Sequence, residues 1–388
     1  MSFPGKITSV IEEFGLFSKG DTVCVAVSGG VDSVVLLYLL SELSKTFRLK
    51  IIVCHLNHNL RGVESRADYN FTKKLAKGMG FIFEGKVLPK GKLTKKTNES
   101  LQEMARKERL NFLECTRRKF SADCIVLGHN QDDRAETVLM RLLKGTSLRG
   151  LTSIAPKRGF FVRPLINTSR SEIEEFAKAR EIKFRVDSSN KSRKYLRNKV
   201  RLDLLPALEQ EYNPRIREAL SRLASLVSID DDFIEEATTR ALSKKNNLLT
   251  KTAGGVLIDR LKFLKLHKAV QGRVLLKAIN LIVKDRVKAD VFVEDISNFN
   301  IYGSHLDAVQ GVILSLRPNL SIDLPEGIYF IREYDKLRFT RDLPKEVVFN
   351  LPLKVGAVKK IKQLGLEVKL RILKNKPKTV SQNPFVTH

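Results

Sequence analysis

The chain of 388 residues is 43% hydrophobic, enough for folded cores in two or three domains, so it reads as a soluble globular protein. Seventy Lys and Arg against 43 Asp and Glu leave a formal charge of +27, which favours a polyanionic partner, nucleic acid before an anionic membrane. The longest apolar run, VVLLYLL, is too short to span a bilayer, MSFPGKITSVIEEFGLF lacks the apolar core of a secretory leader, and four scattered cysteines without a CxxC pair argue against a disulfide framework or zinc site, so a reducing cytoplasm is expected.

In chain order, TVCVAV (22–27) reads as a strand and 34–43 as a helix, so the polar hexapeptide SGGVDS (28–33) falls at a strand-to-helix turn. Strands at 49–56, 81–88 and 124–129 alternate with helices at 64–77, 99–119 and 132–143. Such alternation specifies a doubly wound, mainly parallel sheet covered on both faces, with ligands at the carboxyl ends of its strands. After strand FFVRPL (160–165), Ser169 is the expected N-cap and Glu172 its capping-box partner for a helix to Ala179, and a further helix covers 197–211. Asn213 and Pro214 end this pattern. Residues 214–244 then show helical periodicity, and short β-rich pieces separated by turn residues begin near 310. The expected domains are therefore 1–213, an α/β domain; 214–309, helical; and 310–388, a small mixed or β-rich domain. From 336 to 388 the chain carries 13 Lys and Arg against 3 Asp and Glu, a plausible electrostatic footprint for nucleic acid.

A loop entering a helix aims backbone N–H groups outward, where the helix dipole adds partial positive charge, so the hexapeptide suits a phosphate. Gly29 and Gly30 allow phosphate oxygens close to the backbone, Ser28 and Ser33 offer hydroxyl donors, and Asp32 can hold Mg²⁺ or bond the loop amides. Neither GxxxxGK[ST] nor GxGxxG is present, so two better-known nucleotide fingerprints are excluded for this loop.

SGGxDS resembles the pyrophosphate-binding loop, or PP-loop, of the N-type ATP pyrophosphatases, which split ATP to AMP and pyrophosphate while adenylating a carbonyl oxygen. Three further segments, HLNHNLRGVESRADYNF (55–71), LGHNQDDRAETVLMRLLKGTSLRGL (127–151) and RPLINTSRSEIEEFAKAREIKFRVDSSNKSRKYLRNKVRLDLLPAL (163–208), lie in register with the tRNA(Ile)-lysidine synthetase family. The resemblance is strong over about residues 20–240 and weak beyond them, where VKKIKQLGLEVKLR only loosely resembles the family's basic final domain. It implies adenylation of the wobble cytidine of a tRNA(Ile) with a CAU anticodon by ATP with Mg²⁺, then displacement of AMP by the ε-amine of free L-lysine. A homodimer is compatible with it.

The resemblance assigns ATP to Ser28, Gly29, Gly30, Val31, Asp32 and Ser33, with Asp32 also the candidate metal ligand. Asp133 and Glu136, three apart on one helical face, match the family's lysine-recognising acidic pair. Carboxylates there can hold the lysine ammonium and take its proton, which matters because a free ε-amine with a pKa of about 10.4 is mostly protonated at neutral pH. Asp132 belongs to the same motif. His55, His58 and Arg61 follow the second strand, where they can contact base, ribose or phosphate, and Arg163 is a weaker candidate after a later strand. Arg197 and Arg201, in YLRNKVR, match the family's RNxxR element and can neutralise phosphate or position the cytidine. The family commonly has glutamine where Arg134 stands.

Two alternatives belong to other classes. A related enzyme group thiolates tRNA bases with cysteine pairs and often an iron–sulfur cluster, whereas Cys24 and Cys54 fall inside expected strands, where cysteine acts as a small hydrophobe. A tRNA-binding protein with a vestigial ATP site has no need of an intact SGGVDS or of Asp133 and Glu136.

Overall fold

The computed structural model describes residues 2–93, 100–185, 193, 196–252, 254–284, 303–342, 354–356, 358–361 and 366–369. Helix α1 (Phe3–Glu13) precedes β1 (Thr22–Ala26), α2 (Val31–Phe47), β2 (Lys50–Asn57), α3 (Val63–Gly78) and β3 (Ile82–Val87). Next come α4 (Leu101–Lys119), β4 (Cys124–Val126), α5 (Gln131–Lys144), the short α6 (Leu148–Leu151), β5 (Lys157–Arg158), β6 (Phe161–Val162) and α7 (Arg170–Ala179). The strands form one sheet in the order β3-β2-β1-β4-β6-β5. It is parallel throughout except for β5 against β6.

Strand β1 has buried faces on both sides because its residues alternate between two cores. Val23 and Val25 pack with α2 side chains such as Val34 and Leu37, whereas Cys24 packs with Phe112 and Leu113 of α4. From β1 the chain moves to β2 and β3 on one side and then crosses to β4 on the other. This reversal opens a crevice at the carboxyl ends of β1 and β4, the usual ligand position in such a sheet. The expected strands 124–129 and 160–165 shorten to three and two residues, because beyond them the backbone turns out of the ladder.

The helix expected at 197–211 is continuous but composite. It runs as α8 (Leu196–Lys199), a π-helical turn at Val200–Leu204 and α9 (Leu205–Glu211). Then α10 (Ile216–Ala241) packs against α5. A second sheet takes β7 (Leu249–Thr252) and β8 (Gly255–Asp259), followed by α11 (Arg260–Leu264), α12 (Lys268–Lys284) and α13 (Gly303–Leu314), and it is completed by β9 (Asn319–Leu324), β10 (Ile328–Glu333) and β11 (Lys336–Thr340). Leu337 pairs with Ile258 and Phe339 with Val256, so the β-rich pieces expected after residue 310 share a sheet and core with 249–259.

Residues 1–341 form one compact unit. In the second unit, 342–388, β12 (Val358–Ile361) and β13 (Leu366–Lys369) pair antiparallel. Most of the basic stretch expected to meet nucleic acid lies outside the described residues. Among the described residues, no helix is long and apolar enough to cross a membrane.

Candidate active site

The β1–α2 turn adopts the conformation its glycines permit. Gly29 has φ +98°, which side-chain-bearing residues rarely adopt, and Gly30 caps α2 without a side-chain acceptor. The first-turn amides of α2 therefore remain available to a ligand anion. Ser33 braces the turn from inside: its hydroxyl accepts from Ser28 N at 3.1 Å and donates to Gly30 O at 3.0 Å. Val31 is buried beneath the loop. The opposite wall, the β4–α5 loop, comes close because Gly128 has no side chain. A Cβ there would lie 3.2 Å from Ser33 N and Cα.

Asp32, in the first turn of α2, links the two loops. Asn130 Nδ2 donates to its Oδ1 at 2.9 Å, and Arg170 Nη1 donates to its Oδ2. Burial pushes the Asp32 carboxyl above its usual range, Arg170 pulls it partly back, and the nearby Asp133 charge adds to the rise. Asn130 also caps α5 through a capping box with Asp133, so one asparagine joins the loop acid to the acidic motif.

Asp133 and Glu136 share one face of α5, and α8 with the π-helical turn after it brings Arg197 and Arg201 onto them. Arg197 donates to Asp133 at 2.7 Å and Glu136 at 3.0 Å, while Arg201 donates to Asp133 at 3.1 Å and to both Glu136 oxygens. Burial alone would raise the Asp133 pKa, but the guanidiniums of Arg197 and Arg201 hold it below the usual carboxylate range. Glu136 is 1% exposed and has those same guanidiniums as its partners. Asp132 faces elsewhere: it accepts from Arg170 N at 3.2 Å and from Arg217 of α10 at 3.2 Å, an arrangement that docks α10. Arg134 also turns from the acidic pair. It is 2% exposed, donates to Ser225 Oγ of α10 at 2.8 Å, and burial lowers its pKa to about 10.

A cleft of about 600 Å³ opens beside the loop over the ends of β1 and β2, with apolar walls from Leu56, Leu101 and Phe112 and polar groups from His55, His58 and Arg61. His55 Nδ1–H donates to Val27 O at 2.8 Å, and its ring stands edge-on to Tyr69. Arg61 is held by Glu64 at 3.3 Å and Asp68 at 3.0 Å. Arg163 lies beneath the site, where its Nε donates to His129 Nδ1 at 3.3 Å.

Burial, with smaller contributions from Arg109 and His55, pushes the His58 imidazole down to about 4. The unfolded chain takes up this proton near pH 6.5 and the folded chain only near 4, so between these values the unfolded state binds more protons and stability falls as pH falls. The urea midpoint of His58→Gln is expected to drop less than that of the wild type between pH 6.5 and 4, while the two run parallel above 6.5. Equal drops would assign the acid sensitivity to other groups.

The structure thus brings Ser28, Asp32, Ser33, Asp133, Glu136, Arg197 and Arg201 into one crevice, with His55, His58 and Arg61 along its side. Arg170, Asn130 and Arg217 join the site beyond the residues that the sequence motifs assign to it. For Asn130 a signal exists, since Asn130 and Asp133 have the spacing of a helix N-cap and its partner. Arg170 and Arg217 offer none, because the site carboxylates they reach, Asp32 and Asp132, lie 138 and 85 residues away in the chain.

Residues 2–208 match the family profile described as PP-loop domain. The chain is 33% identical to the tRNA(Ile)-lysidine synthase of Clostridioides difficile over 95% of its own length and 77% of that protein's. It is 34% identical to that of Clostridium tetani over 75% of the chain and 62% of the relative. For Caldanaerobacter subterraneus subsp. tengcongensis the figures are 31% identity, 93% and 74%.

Proposed function

Because the chain belongs to the tRNA(Ile)-lysidine synthase family, we propose that it ligates free L-lysine to the wobble cytidine of tRNA(Ile) bearing a CAU anticodon, using ATP. The observation that carries the reading is Asn130: its side chain bonds Asp32 of the phosphate-binding loop while it caps α5 together with Asp133. A phosphate site and an ammonium site thereby lie one side chain apart, as transfer of an amine to an adenylated base requires.

ATP enters with its phosphates on the loop amides and its nucleoside in the cleft between Leu56 and Phe112. Asp32 is a hard oxygen donor beside those phosphates, which suits Mg²⁺, since this ion takes one or two carboxylates and completes its shell with phosphate and water. When bound, Mg²⁺ neutralises phosphate charge. The cytosine O2 attacks the α-phosphorus; the O2–P bond forms, the bond to the β-phosphate breaks, and its electron pair leaves on pyrophosphate. Lysine Nε then attacks C2, and AMP departs with the electrons of the C2–O bond.

Asp133, kept ionised by its arginines, suits binding of the ammonium, which leaves Glu136 to accept its proton. In the free chain both carboxylates are occupied by Arg197 and Arg201. These guanidiniums transfer to RNA or nucleotide phosphate as substrates bind. RNA is held by the basic residues of 214–309 and of 310–388. The reaction takes place in the cytoplasm, and a homodimer accommodates it.

The test is incorporation of labelled lysine into tRNA(Ile) with the CAU anticodon in the presence of ATP and Mg²⁺. Label in the RNA that depends on ATP is expected. RNA binding without incorporation would leave a binding protein with a vestigial ATP site.

A further inference from the structure

We propose that Arg170 is a further catalytic residue, the guanidinium that receives pyrophosphate as it leaves ATP. The proposal rests on reading the Ser28–Ser33 loop as the ATP site.

Arg170 is the first residue of α7, and its backbone is fixed twice. Ser169 and Glu172 close a capping box beneath it, and its own N–H donates to Asp132 at 3.2 Å. This brings the N-terminus of α7 to those of α2 and α5, where the positive ends of three helices face one crevice. The side chain reaches across to Asp32 Oδ2 through Nη1, while Nε donates to Glu174 at 2.7 Å. It remains 41% exposed, against 25% for Asp32, so the guanidinium lies over the loop with room to turn.

Arg170 is the more exposed partner, so water screens its side of the pair and the guanidinium can exchange Asp32 for a phosphate oxygen. The chemistry supplies the reason for the exchange. When the bond between the α-phosphorus and the bridging oxygen breaks, the electron pair passes to pyrophosphate, and new negative charge develops on that oxygen. A permanently charged, bidentate donor one side chain from the loop is suited to stabilise it. In the free chain Arg197 and Arg201 sit on Asp133 and Glu136, on the lysine side of Asn130, whereas Arg170 already reaches Asp32 on the pyrophosphate side.

Calorimetric titration of the full chain with inorganic pyrophosphate and Mg²⁺ tests this without turnover. Arg170→Met is expected to weaken pyrophosphate binding at least about tenfold and to slow single-turnover adenylation by roughly 10²-fold. Affinity for tRNA is expected to stay unchanged, and added guanidinium ion to restore part of the adenylation rate. Glu174→Gln, which removes only the other partner of Arg170, is expected to bind pyrophosphate as the wild type does. Arg170→Gln keeps a donor for Asp32 without the charge, and it serves where Arg170→Met does not fold. Wild-type pyrophosphate affinity and adenylation rate in either folded variant would overturn the proposal. A wild-type chain that binds no pyrophosphate and consumes no ATP would overturn the ATP-site reading, and this proposal with it.

Discussion

Glu136→Gln lowers lysine transfer to tRNA by about 10²- to 10⁴-fold, the range for removing a positioned proton acceptor, while release of pyrophosphate from ATP continues. Glutamine keeps the shape and one acceptor oxygen but can neither balance the ammonium charge nor take its proton. The measurement pairs labelled lysine incorporation with pyrophosphate release in one reaction. A parallel fall in both would mean that Glu136 serves adenylation or the fold. The fold is a real competitor, because Glu136 is 1% exposed and accepts from both Arg197 and Arg201. Removing one partner of a fully buried pair costs about 3 to 5 kcal/mol, an upper limit here because both arginine side chains are more than a third exposed to water. A denaturant curve on the same variant separates the two causes.

Asp32→Ala is expected to abolish adenylation, by roughly 10³-fold or more, with tRNA affinity nearly unchanged. Its stability effect discriminates further. The Asp32 pKa is raised in the folded chain, so the folded state binds the proton more tightly than the unfolded state. The linked stability is then present at low pH and lost as pH rises through the folded value, so at neutral pH the ionised carboxylate is a burden. Removing it is expected to leave the melting temperature at or above that of the wild type. Loss of folding in Asp32→Ala would make the loop's role structural.

Local pattern makes the parallel sheet readable in the sequence. TVCVAV and LKIIVCHL announce buried strands, and SGGVDS and GHNQDD interrupt apolar runs where β1 and β4 end. The acidic spacing of Asp133 and Glu136 places both on one helical face, and the four-residue spacing of Arg197 and Arg201 does the same. That these two faces meet is tertiary information, since 61 residues separate Arg197 from Glu136. The same holds for Arg170 and Asp32, 138 apart. The part played by Arg134, where the family commonly has glutamine, is tertiary in the same way, since this side chain is buried against Ser225, 91 residues on. In the second sheet, Gly255–Asp259 alternates in burial as a strand does, but it is only five residues long and, beyond its short neighbour β7, its other partner, β11, begins at Lys336. Pairing across such a distance leaves no periodic trace at either end.

The most direct measurement of the central claim is the mass of the nucleoside at the wobble position of tRNA(Ile) with a CAU anticodon after incubation with the chain, ATP, Mg²⁺ and lysine. Cytidine plus lysine less one water is the expected mass. Unchanged cytidine, or a cytidine with sulfur in place of its oxygen, would contradict lysine transfer.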